Sequence, residues 1–310
     1  MRKRIIYSII MSLVLMSTAC TNGNTYNESE EGASEKVSNT EASSEDESIA
    51  VTTDEEQISY QGIIDSKDMF YAAIETASLS WISKEDLFSD DTQYTLDQAA
   101  QLIKDNCSFN IELDEQSCKL IDCGMDQMPE LLVTQVYKGD GYLTVHIVIK
   151  NVEGQYRAVY IDDCSGTSEI QINEYGYIGE FDNAGEGVVS YRYGFLDKDC
   201  NYVLYYNSYY YMMAYKYPGE ITNSEEWNDI QIMTYGFSDD RTAPAEFCNY
   251  FKMDENFEVI EDESLYGEDS VFRKAFEEEG IKVLDSSEIE QMLKERRTEI
   301  GLADEIMEEN

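Results

Sequence analysis

The residues able to do nucleophilic, redox or proton-transfer chemistry are few: one histidine and seven cysteines in 310 residues, set among 64 Asp and Glu. His146 lies in an apolar alternating stretch, the setting of a hydrogen-bonded sheet histidine rather than of a catalytic base. With no second imidazole, most metal-hydrolase and His-based nucleophile schemes are excluded. Leaving Cys20 aside, Cys107, Cys118, Cys123, Cys164, Cys200 and Cys248 are even in number, so disulfides and plain buried thiols both remain open. None forms a C-x-x-C pair, and no His or Cys stands at zinc-finger spacing. The G-x-S-x-G, H-E-x-x-H, G-x-x-x-x-G-K and helix-opening G-x-G-x-x-G motifs are absent. A carboxylate pair could hydrolyse glycosides, but no two of these acids are singled out. The expectation is a protein without catalytic activity.

Binding chemistry is better represented. Sixteen of the 24 tyrosines fall between residues 137 and 217, most densely in Tyr205-Tyr206-Asn207-Ser208-Tyr209-Tyr210-Tyr211. Tyrosine joins a flat apolar ring to a polar tip, which suits sugar rings, peptides and protein surfaces. In a regular strand Tyr205, Tyr209 and Tyr211 share one face with Asn207, and they are the candidate ligand-binding residues. Cross-strand aromatic pairing would account for the same enrichment. Lys and Arg total 22, giving a formal charge of −42, so electrostatic attraction to nucleic acid is excluded.

The N-terminus has the layout of an export signal: Arg2-Lys3-Arg4, an apolar stretch from Ile5 to Met16, then Ser17-Thr18-Ala19-Cys20. The apolar stretch is short for a membrane span. Ser17 to Cys20 resemble the lipobox of bacterial lipoproteins. That resemblance implies a diacylglycerol anchor, with palmitate-type chains, on Cys20, holding the chain on the outer face of the cytoplasmic membrane. Ser17 stands where the box usually carries leucine, and cleavage by ordinary signal peptidase would release a soluble protein instead. Residues 21–57 hold eleven acids and one lysine with almost no large apolar side chains, the composition of a disordered acidic tether.

Asp122-Cys123-Gly124-Met125-Asp126-Gln127-Met128-Pro129-Glu130-Leu131-Leu132-Val133 resembles the D-x-D-G-D-G-x-P-E-L-x-V loop of FG-GAP and VCBS-like extracellular proteins and of uncharacterised Gram-positive surface lipoproteins. The resemblance implies calcium as a cofactor, held by Asp122, Asp126 and Glu130. Gly124 replaces one acid of the motif and Gln127 replaces its turn glycine, which lowers the ligand charge. A second oxygen-rich stretch, Asp197, Asp199 and Asn201, reads as a hairpin turn.

These residues need a scaffold. Two leading helices are expected: one with Phe70, Ala73, Ile74, Ala77 and Trp81 on a face behind Ser66, the other opened by a Thr95/Gln98 capping box ahead of Leu96, Ala99, Ala100 and Ile103. From about Cys118 to Tyr217 the period falls to two. Turn signals at 138–141, 152–154, 164–166, 182–185 and 197–199 predict an antiparallel meander of about seven strands. Strands follow at Ile230–Phe237 and Phe247–Phe251. A short helix is expected at Asp269–Glu279, then another with a Ser287/Glu290 capping box and Ile289, Met292, Leu293, Arg296 and Ile300 in a stripe before Gly301. No fixed-period repeat occurs, so no propeller or solenoid is expected.

The fold class read from the sequence is α+β: leading helices, a Tyr-rich antiparallel sheet, and an acidic helical end. Its divisions are a signal peptide at 1–20, a tether at 21–57, an α+β domain at 58–251 and the C-terminal segment at 252–310. The functional expectation is a membrane-anchored extracytoplasmic lipoprotein. It would contact the bilayer through Cys20 and act as a non-catalytic binding or interaction module for a cell-surface glycan or protein. The alternatives are a transporter's solute-binding protein and a carboxylate-based glycoside hydrolase.

Overall fold

Two seven-stranded sheets, built from consecutive stretches of chain, carry the described residues. The computed structural model describes residues 59–72, 77–82, 88, 92–185, 187–218, 227, 229–238, 240, 243–254, 259–260 and 263–307. The signal segment, Cys20 and the tether lie outside them. Glu55–Asn310 form one unit.

The first sheet opens with helix α1 (Gln61–Ile64), strands β1 (Phe70–Ala72), β2 (Ala77–Ser78) and β3 (Gln93–Tyr94), and helix α2 (Leu96–Asn106). Strands β4 (Ile111–Ile121), β5 (Glu130–Gly139), β6 (Tyr142–Val152) and β7 (Gln155–Ser165) follow as an antiparallel meander. The spatial order is β3-β1-β7-β6-β5-β4, with β2 also on β7. Glu153 and Gly154 both take positive φ, 52° and 83°, the geometry a two-residue hairpin between β6 and β7 needs. Leu131, Val133, Val145, Ile147 and Ile161 are fully buried with Leu96, Ala99 and Ile103 of α2. The Thr95/Gln98 capping box forms, with Gln98 N donating to Thr95 Oγ1 at 3.2 Å and Thr95 N donating to Gln98 Oε1 at 2.9 Å.

Among the described residues of the expected first helix, Phe70–Ala72 and Ala77–Ser78 are strands; Ala73 and Ile74 lie outside the described residues. Phe70 and Ala72 are buried around a half-buried Tyr71, the alternation of a strand. Strand β1 pairs antiparallel with β3 and parallel with β7, and β2 runs parallel to β7. Ser66, the expected cap, has φ 53°. A short apolar stretch fits either period, and the open edge of β7 decides it.

The single meander is also corrected. Cys164-Ser165-Gly166 ends the first sheet instead of making a hairpin within it. The second sheet runs β8 (Glu169–Ile172), β9 (Tyr177–Gly185), β10 (Val188–Leu196), β11 (Tyr202–Tyr211), β12 (Ile230–Gly236), β13 (Phe247–Lys252) and, parallel to β13, β14 (Lys282–Val283). Asp182 to Gly185, read as a turn, lie inside β9.

Helices α3 (Glu263–Tyr266), α4 (Val271–Glu278) and α5 (Ser286–Ile300) clothe this second sheet. Ser270 caps α4, whose Phe272 and Phe276 bury against Trp227, Ile232 and Tyr250. Helix α5 brings Leu293 against Phe195 and Tyr205, and ends at Gly301 with φ 71°. Its capping box uses Asp285 and Glu288, two residues earlier than expected; the Asp285 carboxylate accepts from the Ser287 and Glu288 amides at 2.8 and 2.9 Å. Asp outranks Ser here because an anion also meets the positive end of the helix dipole.

The two sheets join around Ile121, Cys123, Leu132, Val148 and Tyr160 from the first and Ile170, Ile178, Leu196 and Cys200 from the second. Main-chain bonds cross the same junction, from Asp122 N to Glu174 O at 2.7 Å and from Gly124 N to Tyr175 O at 3.2 Å.

Candidate functional site

The loop between β4 and β5 keeps the turn of the cation-binding motif without its glycine: Gly124, Met125 and Gln127 have φ of 71°, 58° and 67°. Its carboxylates are turned to other partners. Asp122 accepts from Gln127 N through both oxygens, at 3.0 and 3.2 Å, and Asp126 Oδ1 accepts from Met128 N at 2.8 Å. Glu130, fully buried, accepts from Cys123 N at 2.9 Å through Oε2. Its Oε1 faces the Lys150 ammonium at 3.0 Å, and Asp126 Oδ2 lies 3.9 Å from the same nitrogen.

Lys150 comes from the end of β6, one residue beyond the Ile149–Leu131 pair. Its ammonium also donates to Lys198 O at 2.6 Å and to Cys200 Sγ at 3.5 Å, both in the β10–β11 turn. Burial alone would lower its pKa. The hydrogen bond to Glu130 and the neighbouring Cys200, Glu130 and Asp126 outweigh that and raise it to about 12. Two of the three carboxylates implied to bind calcium, Asp126 and Glu130, thus face one ammonium with the Cys200 thiol beside it, while Asp122 is taken up by the Gln127 amide. A hard cation wants several free oxygens. Main-chain amides hold Asp122, Asp126 Oδ1 and Glu130 Oε2, and an ammonium already faces Glu130 Oε1 and Asp126 Oδ2, so the donor set does not fit calcium.

The β10–β11 turn is organised by Asp197, whose Oδ1 accepts from the Asp199 and Asn201 amides, each at 2.9 Å. This is the hairpin expected of Asp197, Asp199 and Asn201.

The tyrosine face divides. A β-bulge interrupts the β10–β11 pairing, with Tyr193 opposite Tyr206 and Gly194 opposite Leu204, so Tyr205 is the extra residue. Tyr205 is buried with Leu302 and Ile306, and its hydroxyl donates to Leu293 O at 3.3 Å. Tyr211 is buried with Trp227 and Ile232. Of the three, only Tyr209 stays half-exposed, and it lines a shallow surface groove.

That groove follows from register. Asp182, Ser190 and Tyr209 form one cross-strand row, and Glu180, Arg192 and Asn207 the next row on the same face. Arg192 pairs with Glu180 at 3.0 Å, Asn207 Nδ2 donates to Ser238 O at 2.8 Å, and Ser168 Oγ donates to Asp182 at 2.6 Å. Tyr209 thus brings a flat aromatic ring to the same groove as the polar side chains of Asp182, Ser190 and Asn207, chemistry able to meet a polyhydroxylated ring.

His146 is buried, and its Nδ1 lies 3.1 Å from Thr134 Oγ1. Burial lowers its pKa to about 4, which leaves it neutral at physiological pH. Opposite it on β7, Asp162 has its pKa pushed up to about 8, first by burial and then by the charge of Glu180; Tyr160 donates to its Oδ2 at 3.0 Å.

Sequence reasoning did not single out Lys150, Arg192, Glu180 or Asp162. For Lys150 a signal existed: a lysine directly after the buried run Leu143–Ile149 has to find an anion. The others depend on strand register. Comparisons with protein-family models, curated proteins and solved structures found no match to this chain.

Proposed function

We propose that this chain is an extracytoplasmic lipoprotein, anchored through Cys20 to the outer face of the cytoplasmic membrane, and a non-catalytic module that binds neutral or amino-sugar glycans at the cell surface. The single observation that carries the binding reading is the groove on the second sheet. It sets Tyr209 beside Asn207, Ser190, Arg192, Glu180 and Asp182 in two rows of one face. Planar polar groups next to an aromatic ring match a sugar's hydroxyls and its apolar C–H face. A formal charge of −42 disfavours acidic glycans.

The test is a glycan array probed with the full-length protein, followed by titration of the retained sugar against Tyr209→Ala and Asn207→Ala. A neutral or amino-sugar hit weakened roughly tenfold or more by either substitution supports the reading. An array without hits, or hits indifferent to both substitutions, overturns it. Labelled palmitate fed to the producing cells tests the anchor, and loss of label in Cys20→Ala locates it.

Asp162 favours a second reading, carboxylate-based glycoside hydrolysis. Burial and the charge of Glu180 raise its pKa, the direction a general acid requires, though the carboxyl is itself buried in the sheet. Turnover of labelled polysaccharide that disappears in Asp162→Asn would establish this reading over the first.

A further inference from the structure

Cys123 and Cys200 lie 77 residues apart in sequence, one in the β4–β5 loop of the first sheet and the other in the β10–β11 turn of the second, and meet at the junction. Their Sγ atoms and a Glu130 carboxylate oxygen all lie within 4.8 Å of one another, and all three residues are buried. The backbone is shaped to bring the two segments together. Gly124 has φ 71°, and a Cβ on it would come within 2.4 Å of Lys198 N, so only glycine lets the β10–β11 turn approach this closely. Cys200 takes φ 61°, uncommon for a residue with a side chain. On the other flank, a Cβ on Gly176 would come 3.0 Å from Cys123 Sγ.

We propose that Cys123 and Cys200 are the two halves of a disulfide that ties the first sheet to the second. The reaction is thiol–disulfide exchange with a small-molecule or protein disulfide. One cysteine thiolate attacks the reagent, forming a mixed disulfide and releasing one thiol. The second cysteine then attacks the mixed disulfide and releases the other. In sum two protein thiols and one reagent disulfide give one cystine and two reagent thiols, with two electrons and two protons passing to the reagent. Since both thiols are buried, the exchange takes place as the chain folds.

The surroundings favour this product over a bound metal. An ion held by the two sulfurs and Glu130 would sit beside the Lys150 ammonium, which is 3.0 Å from Glu130 Oε1 and 3.5 Å from Cys200 Sγ. Two cations would compete for one ligand set. Closing an S–S bond adds no charge and leaves the Glu130–Lys150 pair intact. The inference does not rest on the glycan reading, because neither sulfur lines the groove.

The full-length protein is refolded from reduced denaturant in a buffer of oxidised and reduced glutathione, alkylated, and digested without reduction for peptide mass mapping. The expected result is one linked peptide pair containing Cys123 and Cys200, two hydrogens lighter than the separate peptides. The melting midpoint should stand roughly 5–10 °C above that of the reduced protein, since closing so long a loop restricts the unfolded chain. That increment should vanish in the double variant Cys123→Ala, Cys200→Ala. Alkylation of both residues, a bond between other cysteines, or stoichiometric zinc retained with no S–S link would each overturn the proposal. Mass mapping of the wild-type chain decides the matter even where the variants fail to fold.

Discussion

Lys150 reaches from the end of β6 to set its ammonium 3.0 Å from the fully buried carboxylate of Glu130, and the same nitrogen donates to Lys198 O at 2.6 Å. One side chain thereby neutralises a charge inside the first sheet and satisfies a carbonyl of the second.

Removing either partner should leave an uncompensated buried charge. Lys150→Met and Glu130→Gln are each expected to cost about 3–5 kcal/mol in urea denaturation. The double variant should recover a large part of that loss. Additive losses in this cycle would mean that the two side chains do not act as a pair.

Calcium offers a second handle on the same residues. With Asp126 and Glu130 held by Lys150, millimolar calcium should leave the melting midpoint of the chelator-treated wild type unchanged. In Lys150→Met both carboxylates lose that ammonium, and calcium should raise the midpoint. A calcium-induced rise in the wild type would contradict the assignment of Lys150 as the cation of this loop.

Stability should depend on pH through Asp162. Its pKa is about 8 in the folded chain against an ordinary 3.8, so between those values the folded state binds more protons than the unfolded. The stability from this group is complete below 3.8 and is lost as pH rises through about 8. His146, lowered from 6.5 to about 4, acts in the opposite sense only between those two values. From pH 6.5 to 8 Asp162 acts without it, and stability should fall with a slope of up to about 1.4 kcal/mol per pH unit. Denaturation series across that window should show the slope in the wild type and a flatter line in Asp162→Asn.

The tyrosines should separate into two classes. Tyr205→Ala removes a ring packed against Leu302 and Ile306, and should cost about 3–5 kcal/mol. Tyr209→Ala should cost much less stability while weakening sugar binding roughly tenfold or more. Equal effects of the two substitutions on stability and on binding would argue against the groove as the recognition surface.

Features whose partners lie within a few residues are legible in the amino-acid sequence. The Thr95/Gln98 capping box, the buried stripe of α2, the hairpin succession of β5 to β7 and the Gly301 terminus each follow from chain-local hydrogen bonds, turn signals or periodicity. The same locality explains the misses. Phe70 to Ser78 carry too few residues to separate a helical from a strand period, and β7 supplies the pairing that selects strand. Ser287 and Glu290 have capping-box spacing, yet Asp285 takes the cap two residues earlier.

Sequence alone determined the charge, the scarcity of catalytic side chains, the strand-rich α+β class and the oxygen-rich turn at Asp122. Tertiary structure decided that one meander splits into two sheets after Ser165, that the bulge at Tyr205 separates it from Tyr209, and that Lys150, Glu130, Cys123 and Cys200 share one buried junction. Those outcomes depend on which distant strands bury each other's apolar faces and on a register that moves a side chain to the opposite face with each residue of shift. Neither quantity is written in the spacing of neighbouring residues.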